Sequence, residues 1–152
     1  MGILRISHLL QNEHYIKNDN YYVAKIQCED LFKILKQDGY KEREYISCDI
    51  NDFYALFKYT KSLWFSAVEV DYSENRMTKL MNMCDDYLNS FNEDIKWIML
   101  FIFSSEKHPL MMREVQEMNS LYEEVADVDL FWDFSYFNHE SDSTKIYLVI
   151  GN

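Results

Sequence analysis

A chain of 152 residues, 48% hydrophobic and 16% aromatic with three glycines and one proline, suits one domain with a real core; a linker or collagen-like chain is excluded. Ten Phe, twelve Tyr and three Trp need burial, which excludes disorder. A formal charge of −11 argues against nucleic acid and against an anionic membrane surface, since both recruit clustered Lys and Arg.

The first sixteen residues carry no decisive period. Tyr21 to Gln27 reads as a strand, and residues 29–37 as a helix with Leu31, Phe32, Ile34 and Leu35 on its apolar face and Gly39 as its stop. A short helix is expected over Asn51 to Lys58, with Phe53, Leu56 and Phe57 on one side, and a strand over Leu63 to Val70. Met77, Leu80, Met81, Cys84, Tyr87, Leu88 and Phe91 then draw one stripe down a long helix, with Ser73 as its expected N-cap. Asp85 and Asp86 fall on the wet side of that helix.

Trp97 to Phe103 is continuously apolar, as a central strand covered on both faces must be. Met111, Val115, Met118, Tyr122 and Val125 mark another helix, entered through Pro109 at its first position, with Glu114, Glu117, Glu123 and Glu124 outside the stripe. Leu130, Trp132, Phe134 and Tyr136 alternate with Asp133 and Ser135, the period of a strand with one wetter face. Lys145 to Ile150 is a last strand ended by Gly151, and the polar stretch 138–143 is expected to fold it back on residues 130–136 as an antiparallel hairpin. The expected architecture is α+β. Residues 49–152 form a mixed four-stranded sheet with helices packed on it, and residues 1–48 form an N-terminal extension packed on that domain.

Charge divides along the same line. Residues 1–48 carry seven basic and seven acidic groups, whereas residues 49–152 carry eight and nineteen and so hold the whole −11. Cys28, Cys48 and Cys84 are odd in number and form no CxxC, as expected of reduced thiols in a cytoplasmic protein. The longest apolar run is far short of the roughly 20 residues of a membrane helix.

Few residues carry chemistry. His8, His14, His108 and His139 share no metal spacing, and glycines at 2, 39 and 151 cannot build a Walker A loop or GxGxxG. Asp85–Asp86 and Glu123–Glu124 are sequence neighbours that point apart on a helix, so they read as solvated faces and not as acid–base pairs. No cofactor or metal is expected. Met83 and Met112, lying off the apolar stripes, are the methionines best placed for contact with a partner.

The segment from Asp49 to Gly151 resembles the C-terminal domain of FtsZ, the bacterial relative of tubulin. Asp52-Phe53 before an apolar helix is similar to the family's catalytic loop, Asn-x-Asp-Phe-Ala-Asp-Val. Ala126-Asp127-Val128-Asp129-Leu130-Phe131-Trp132 is similar to the passage from the family's last large helix into a strand, and Lys145 to Gly151 to its closing strand. This resemblance spans about two-thirds of the chain.

Departures from the family decide what the resemblance implies. The family binds GTP through a separate Gly-rich domain, for which this chain has neither the room nor the glycines. Aligned from Asp52, the loop's second Asp is Ala55 and its Asn is Ile50. A methyl group cannot polarise an attacking water, so neither GTP binding nor GTPase chemistry is expected. The implied function is a non-catalytic protein–protein interaction module, associating with an FtsZ- or tubulin-like polymer or with its own copies. Asp52 and Phe53 would form an interaction loop, and Asp85, Asp86, Glu114, Glu117 and Glu124 an acidic interaction face. The alternative is a small-molecule sensor, or an enzyme of unknown chemistry, using a pocket between sheet and helices.

Overall fold

A computed structural model describes residues 11–39, 50–91, 94–124 and 127–152. The elements in chain order are β1 (Gln11–Lys17), α1 (Tyr21–Asp38), α2 (Ile50–Phe57), β2 (Ser62–Asp71), α3 (Arg76–Asn89), β3 (Trp97–Ser104), α4 (Met112–Glu117), α5 (Asn119–Glu124), β4 (Asp129–Tyr136) and β5 (Ser143–Gly151). The strands form one mixed sheet in the order β1-β2-β5-β3-β4. Only β3 and β4 pair in parallel; β1–β2, β2–β5 and β5–β3 are antiparallel.

The side-chain period of β3 explains the layers. Trp97, Met99, Phe101 and Phe103 point into a core closed by Ala24, Cys28, Leu31, Phe32 and Leu35 of α1 and by Phe53 and Phe57 of α2. Ile98, Leu100 and Ile102 point the other way, against Met77, Leu80, Met81, Cys84, Tyr87 and Leu88 of α3, with Met118 and Leu121 beside them. A strand buried on both faces has no polar alternation to show, which is why its run is unbroken.

The mixed α+β sheet therefore has a fifth strand, β1, which lies in the segment that has no decisive period. Within Tyr21 to Gln27 the expected strand is instead the first two turns of α1. The Asn20 side chain accepts the N–H groups of Tyr22 and Val23, an N-cap that starts the helix, and Ala24, Cys28, Leu31 and Leu35 recur on its inner face. Gly39 ends it at φ +122°, where a Cβ would lie 2.8 Å from the Tyr136 carbonyl oxygen. The boundary expected between residues 48 and 49 lies outside the described residues.

The hairpin is also corrected. Strand β4 does not pair with β5; β3 lies between them. The uncharged run Ile146–Ile150 demands cover on both faces and takes an inner position between β2 and β3, whereas β4, interrupted by Asp129 and Asp133, takes the edge. Helix α3 starts from Asn75 and not from Ser73, whose hydroxyl donates instead to the Asn75 side chain at 2.8 Å. Pro109 precedes its helix by three residues, and the stripe expected over Met111 to Val125 breaks at Met118 into α4 and α5; Val125 lies outside the described residues.

Candidate interaction surface

The β3–α4 connection is shaped by one buried side chain. Arg76, 1% exposed, donates from Nε to Glu114 Oε1 at 2.8 Å and from Nη2 to Glu114 Oε2 at 2.9 Å. Its remaining N–H groups go to the carbonyls of His108 (2.8 Å) and Pro109 (3.1 Å) and to the Thr144 hydroxyl (3.1 Å). All five guanidinium donors are thus used. Tyr72 stacks on the His108 ring at 3.7 Å, and the Arg76 guanidinium lies 5.1 Å from the Tyr72 ring centre.

Glu114 also accepts the Met111 N–H at 2.8 Å, capping α4. Burial alone would raise its carboxyl pKa, but the bonds from Arg76 and the Met111 N–H outweigh that and hold it below the ordinary 4.5. Glu114 is therefore not part of an exposed acidic face. Residues two apart on a helix project about 200° from one another. Turning Glu114 inward accordingly turns Met112 outward, where it is 74% exposed.

Met111 and Met112, both exposed, follow Leu110 at the entry to α4, and Leu110 and Val115 face the C-terminal ends of β3 and β4. There Ser104, Leu110, Val115, Phe134, Ser135 and Tyr136 line a groove of about 210 Å³. The groove is the size of one or two side chains and smaller than the roughly 300 Å³ at which small-molecule pockets begin. Tyr136 is 43% exposed on its rim. Among the described residues β4 pairs only with β3 and is an edge strand, on which the Phe134 N–H donates to the Asp133 carboxylate at 2.9 Å.

The residues singled out from sequence do not converge on this surface. Phe53 is buried, edge-on to Phe32 at 4.9 Å and to Trp97 at 5.8 Å, so it is a core residue and not part of an exposed interaction loop. Asp52 lies in the first turn of α2 and Glu124 at the end of α5; their side chains lie outside the described residues. Asp86 is exposed, Asp85 half-buried, and Glu117 accepts the Thr78 hydroxyl at 2.6 Å. Met83 is half-buried against the α3 core. Of the two methionines expected to contact a partner, only Met112 is open.

Both described thiols are shielded. Burial, then Glu29, pushes Cys28 up to about 12, and burial, then Asp85, raises Cys84 further. No group of three or more His, Cys, Asp or Glu side chains among the described residues is arranged to hold a metal. No helix among them is long and apolar enough to cross a membrane.

No family model matches the chain, and no curated protein matches it. Solved structures do. A point mutant of FtsZ from M. jannaschii superposes with a TM-score of 0.58 at 16% identity, over 86% of this chain and 39% of that one. An empty FtsZ dimer from the same organism gives 0.57 at 18% identity, over 89% and 40%. A TubZ-Bt four-stranded filament gives 0.45 at 9% identity, over 86% and 34%.

The fold is FtsZ-like. The chain spans about two-fifths of the length of the FtsZ chains it matches. The matched 86–89% exceeds the roughly two-thirds occupied by residues 49–151, so part of what precedes residue 49 belongs to the shared FtsZ-like fold.

Proposed function

We propose that the chain is a non-catalytic protein–protein interaction module, docking on a subunit of a tubulin-like polymer through the groove between α4 and the C-terminal ends of β3 and β4. The observation that carries this reading is the groove that Leu110, Val115, Phe134 and Tyr136 line at edge strand β4, with the exposed Met111 and Met112 next to Leu110 in the chain. Large apolar side chains grouped at a strand edge are the anchors that strand addition and side-chain insertion use. One of the matched FtsZ structures is a dimer, which adds a second copy of this chain as the other partner of the same kind.

The stretch Ile50–Ala55, which the structure folds into the first turns of α2, supports the non-catalytic part. With Ala55 and Ile50 where the FtsZ loop carries Asp and Asn, it brings one carboxylate where the resemblance needs two. No GTP is bound or hydrolysed. The shielded Cys28 and Cys84 suit a reducing compartment, and we place the chain in the cytoplasm.

Co-sedimentation with FtsZ, with and without GTP, tests the proposal. Pelleting that needs polymer, and that is lost on Met112→Asp, supports it; a chain that stays in the supernatant throughout and sediments alone as a monomer overturns it.

A second reading, a small-molecule sensor, has one observation in its favour. An open cleft of about 700 Å³ lies where Glu69, Asp71, Tyr72, Lys79 and Asp142 meet. Saturable binding from a metabolite mixture, lost on Tyr72→Ala, would select it.

A further inference from the structure

On the opposite side of the β4–β5 connection, one carboxylate gathers three side chains. Asp38, the last residue of α1, accepts from His139 Nε2 at 2.9 Å on Oδ1 and from Lys145 Nζ at 3.1 Å on Oδ2. The Tyr147 hydroxyl also donates to Oδ2. The backbone repeats the tie, for the Asn138 N–H donates to the Asp38 carbonyl at 3.0 Å. Farther along the same connection, the Tyr72 N–H donates to the Asp142 carbonyl at 2.8 Å.

The surroundings of the His139 ring are one-sided. Nε2 faces a carboxylate, and Nδ1 faces the Glu140 carbonyl oxygen at 3.3 Å. Both neighbours accept only. A neutral imidazole has one N–H, so it satisfies one of them and turns a lone pair on the other; the imidazolium donates to both. From α1 the ring meets Asp38, from β5 it meets Lys145, and on its own segment the Phe137 ring lies 5.1 Å away. Lys145 opposes the proton and Asp38 favours it. The Asp38 bond, then the Glu140 carbonyl, raise the His139 pKa above the ordinary 6.5. Tyr147 lies behind Asp38, and Glu69 of β2 acts on Tyr147.

We infer that residues 138–142 form a pH-sensitive flap, latched onto the end of α1 when His139 is an imidazolium and loosened when it is neutral. The inner half of the latch persists in both states, because Lys145 and Tyr147 hold Asp38 without His139. Helix α1 therefore stays seated, and only the connection is freed. Those same residues wall two polar clefts. Glu140, Ser141 and Asp142 border one of about 320 Å³, and Ser141 and Asp142 border the larger cleft beside Tyr72. The charge on His139 thereby sets the shape of both. His139 has 48% of its side chain exposed, so protons from solvent reach it.

Amide exchange on the intact chain tests the flap. Between pH 6 and pH 8, after correction for intrinsic rates, protection at Asn138 and Tyr72 is expected to fall several-fold, while amides in the middle of β3 keep theirs. In His139→Gln, a change at a half-exposed site that leaves both core clusters untouched, the pH dependence is expected to vanish. An independent reading comes from the His139 ring resonances. Their titration midpoint is expected above 6.5 in the parent chain and lower in Asp38→Asn. Protection that changes equally with pH in the parent and in His139→Gln, or a midpoint indifferent to Asp38→Asn, overturns the inference.

Discussion

Arg76 and Glu114, 38 residues apart in sequence, form a two-pronged ion pair with side chains 2% and 3% exposed. A buried pair of this kind is weak evidence of net stability, because desolvating both charges offsets much of their attraction. What the pair determines is geometry. It ties the N-terminus of α3 to α4, holds His108 and Pro109 by their carbonyls and Met111 by its N–H, and so decides which side of α4 faces outward.

Removing one partner is expected to cost far more than removing both. Arg76→Leu leaves the Glu114 carboxylate with only the Met111 N–H and strips two carbonyls of their donor, a loss of about 3–5 kcal/mol. The double variant Arg76→Met/Glu114→Leu is expected to recover the part due to the uncompensated buried carboxylate, since apolar groups of similar bulk carry no charge to desolvate. Thermal melts of the three chains check this. A single variant that melts with the parent would show the pair to be dispensable.

The same carboxylate gives a pH dependence with a definite sign. Glu114 and Asp38 both titrate below their ordinary 4.5 and 3.8 in the folded chain. For Asp38 burial pulls upward and is outweighed by Tyr147, His139 and Lys145. Depressed values mean that the folded chain holds these protons less tightly than the unfolded one. Their contribution is whole above the ordinary carboxyl range and is lost as pH falls through the folded values. His139 runs oppositely: raised above 6.5, it contributes fully below that value and loses its contribution as pH rises through its folded one. Melting temperature against pH is expected to drop steeply in acid and to decline gently above neutrality. Glu114→Gln should flatten the acid limb, and His139→Gln the gentle one.

These relationships were unevenly legible in the amino-acid sequence. Trp97 to Phe103 and the stripe from Met77 to Leu88 could be read because burial on two faces, or on one helical face, leaves a period in the chain. The first turns of α1 read as a strand because Tyr21-Tyr22-Val23 favours strands locally, while the Asn20 cap and the four-residue spacing of Ala24 and Cys28 favour a helix. Strand β1 is short and polar, and β2 supplies most of what makes it a strand. Which neighbour β4 chooses depends on how deeply β5 must be buried, a property of the whole sheet.

The candidate surface divides in the same way. Met112 is visible as a residue off its helical stripe. Glu114 is not visible as an interior residue, because a Glu on a helix reads as solvated until the distant Arg76 is placed against it. The β4 edge becomes a site only once β5 has taken the inner position.

Gly151 offers a sharper test of packing. It lies directly across from Trp97 in the β5–β3 ladder, and a Cβ there would fall 2.1 Å from the indole Cε2. The ring has nowhere to go: it is 2% exposed, and its N–H donates to the Thr60 hydroxyl at 2.8 Å. Gly151→Ala is expected to cost about 1–3 kcal/mol through overpacking. Thr60→Val, which leaves the indole N–H without an acceptor, is expected to cost about 1–3 kcal/mol by a different route. Both contributions meet at one ring, so the double variant is expected to lose less than the sum. Denaturant melts of the two single chains and the double variant measure this directly.

The proposed docking groove is best tested by substitutions that leave the fold alone. Met112 and Tyr136 are 74% and 43% exposed, and neither belongs to the two core clusters. Replacing either is expected to shift stability by no more than about 0.5 kcal/mol. A carboxylate on an apolar rim, by contrast, must be desolvated when a partner covers it, at a cost that abolishes micromolar association. Met112→Asp and Tyr136→Asp are therefore expected to keep the parent melting temperature and lose co-sedimentation. Asp86→Lys on exposed α3, away from the groove, is expected to keep both. Binding lost with Asp86→Lys and retained with Met112→Asp would move the interface to α3 and remove the groove from the account.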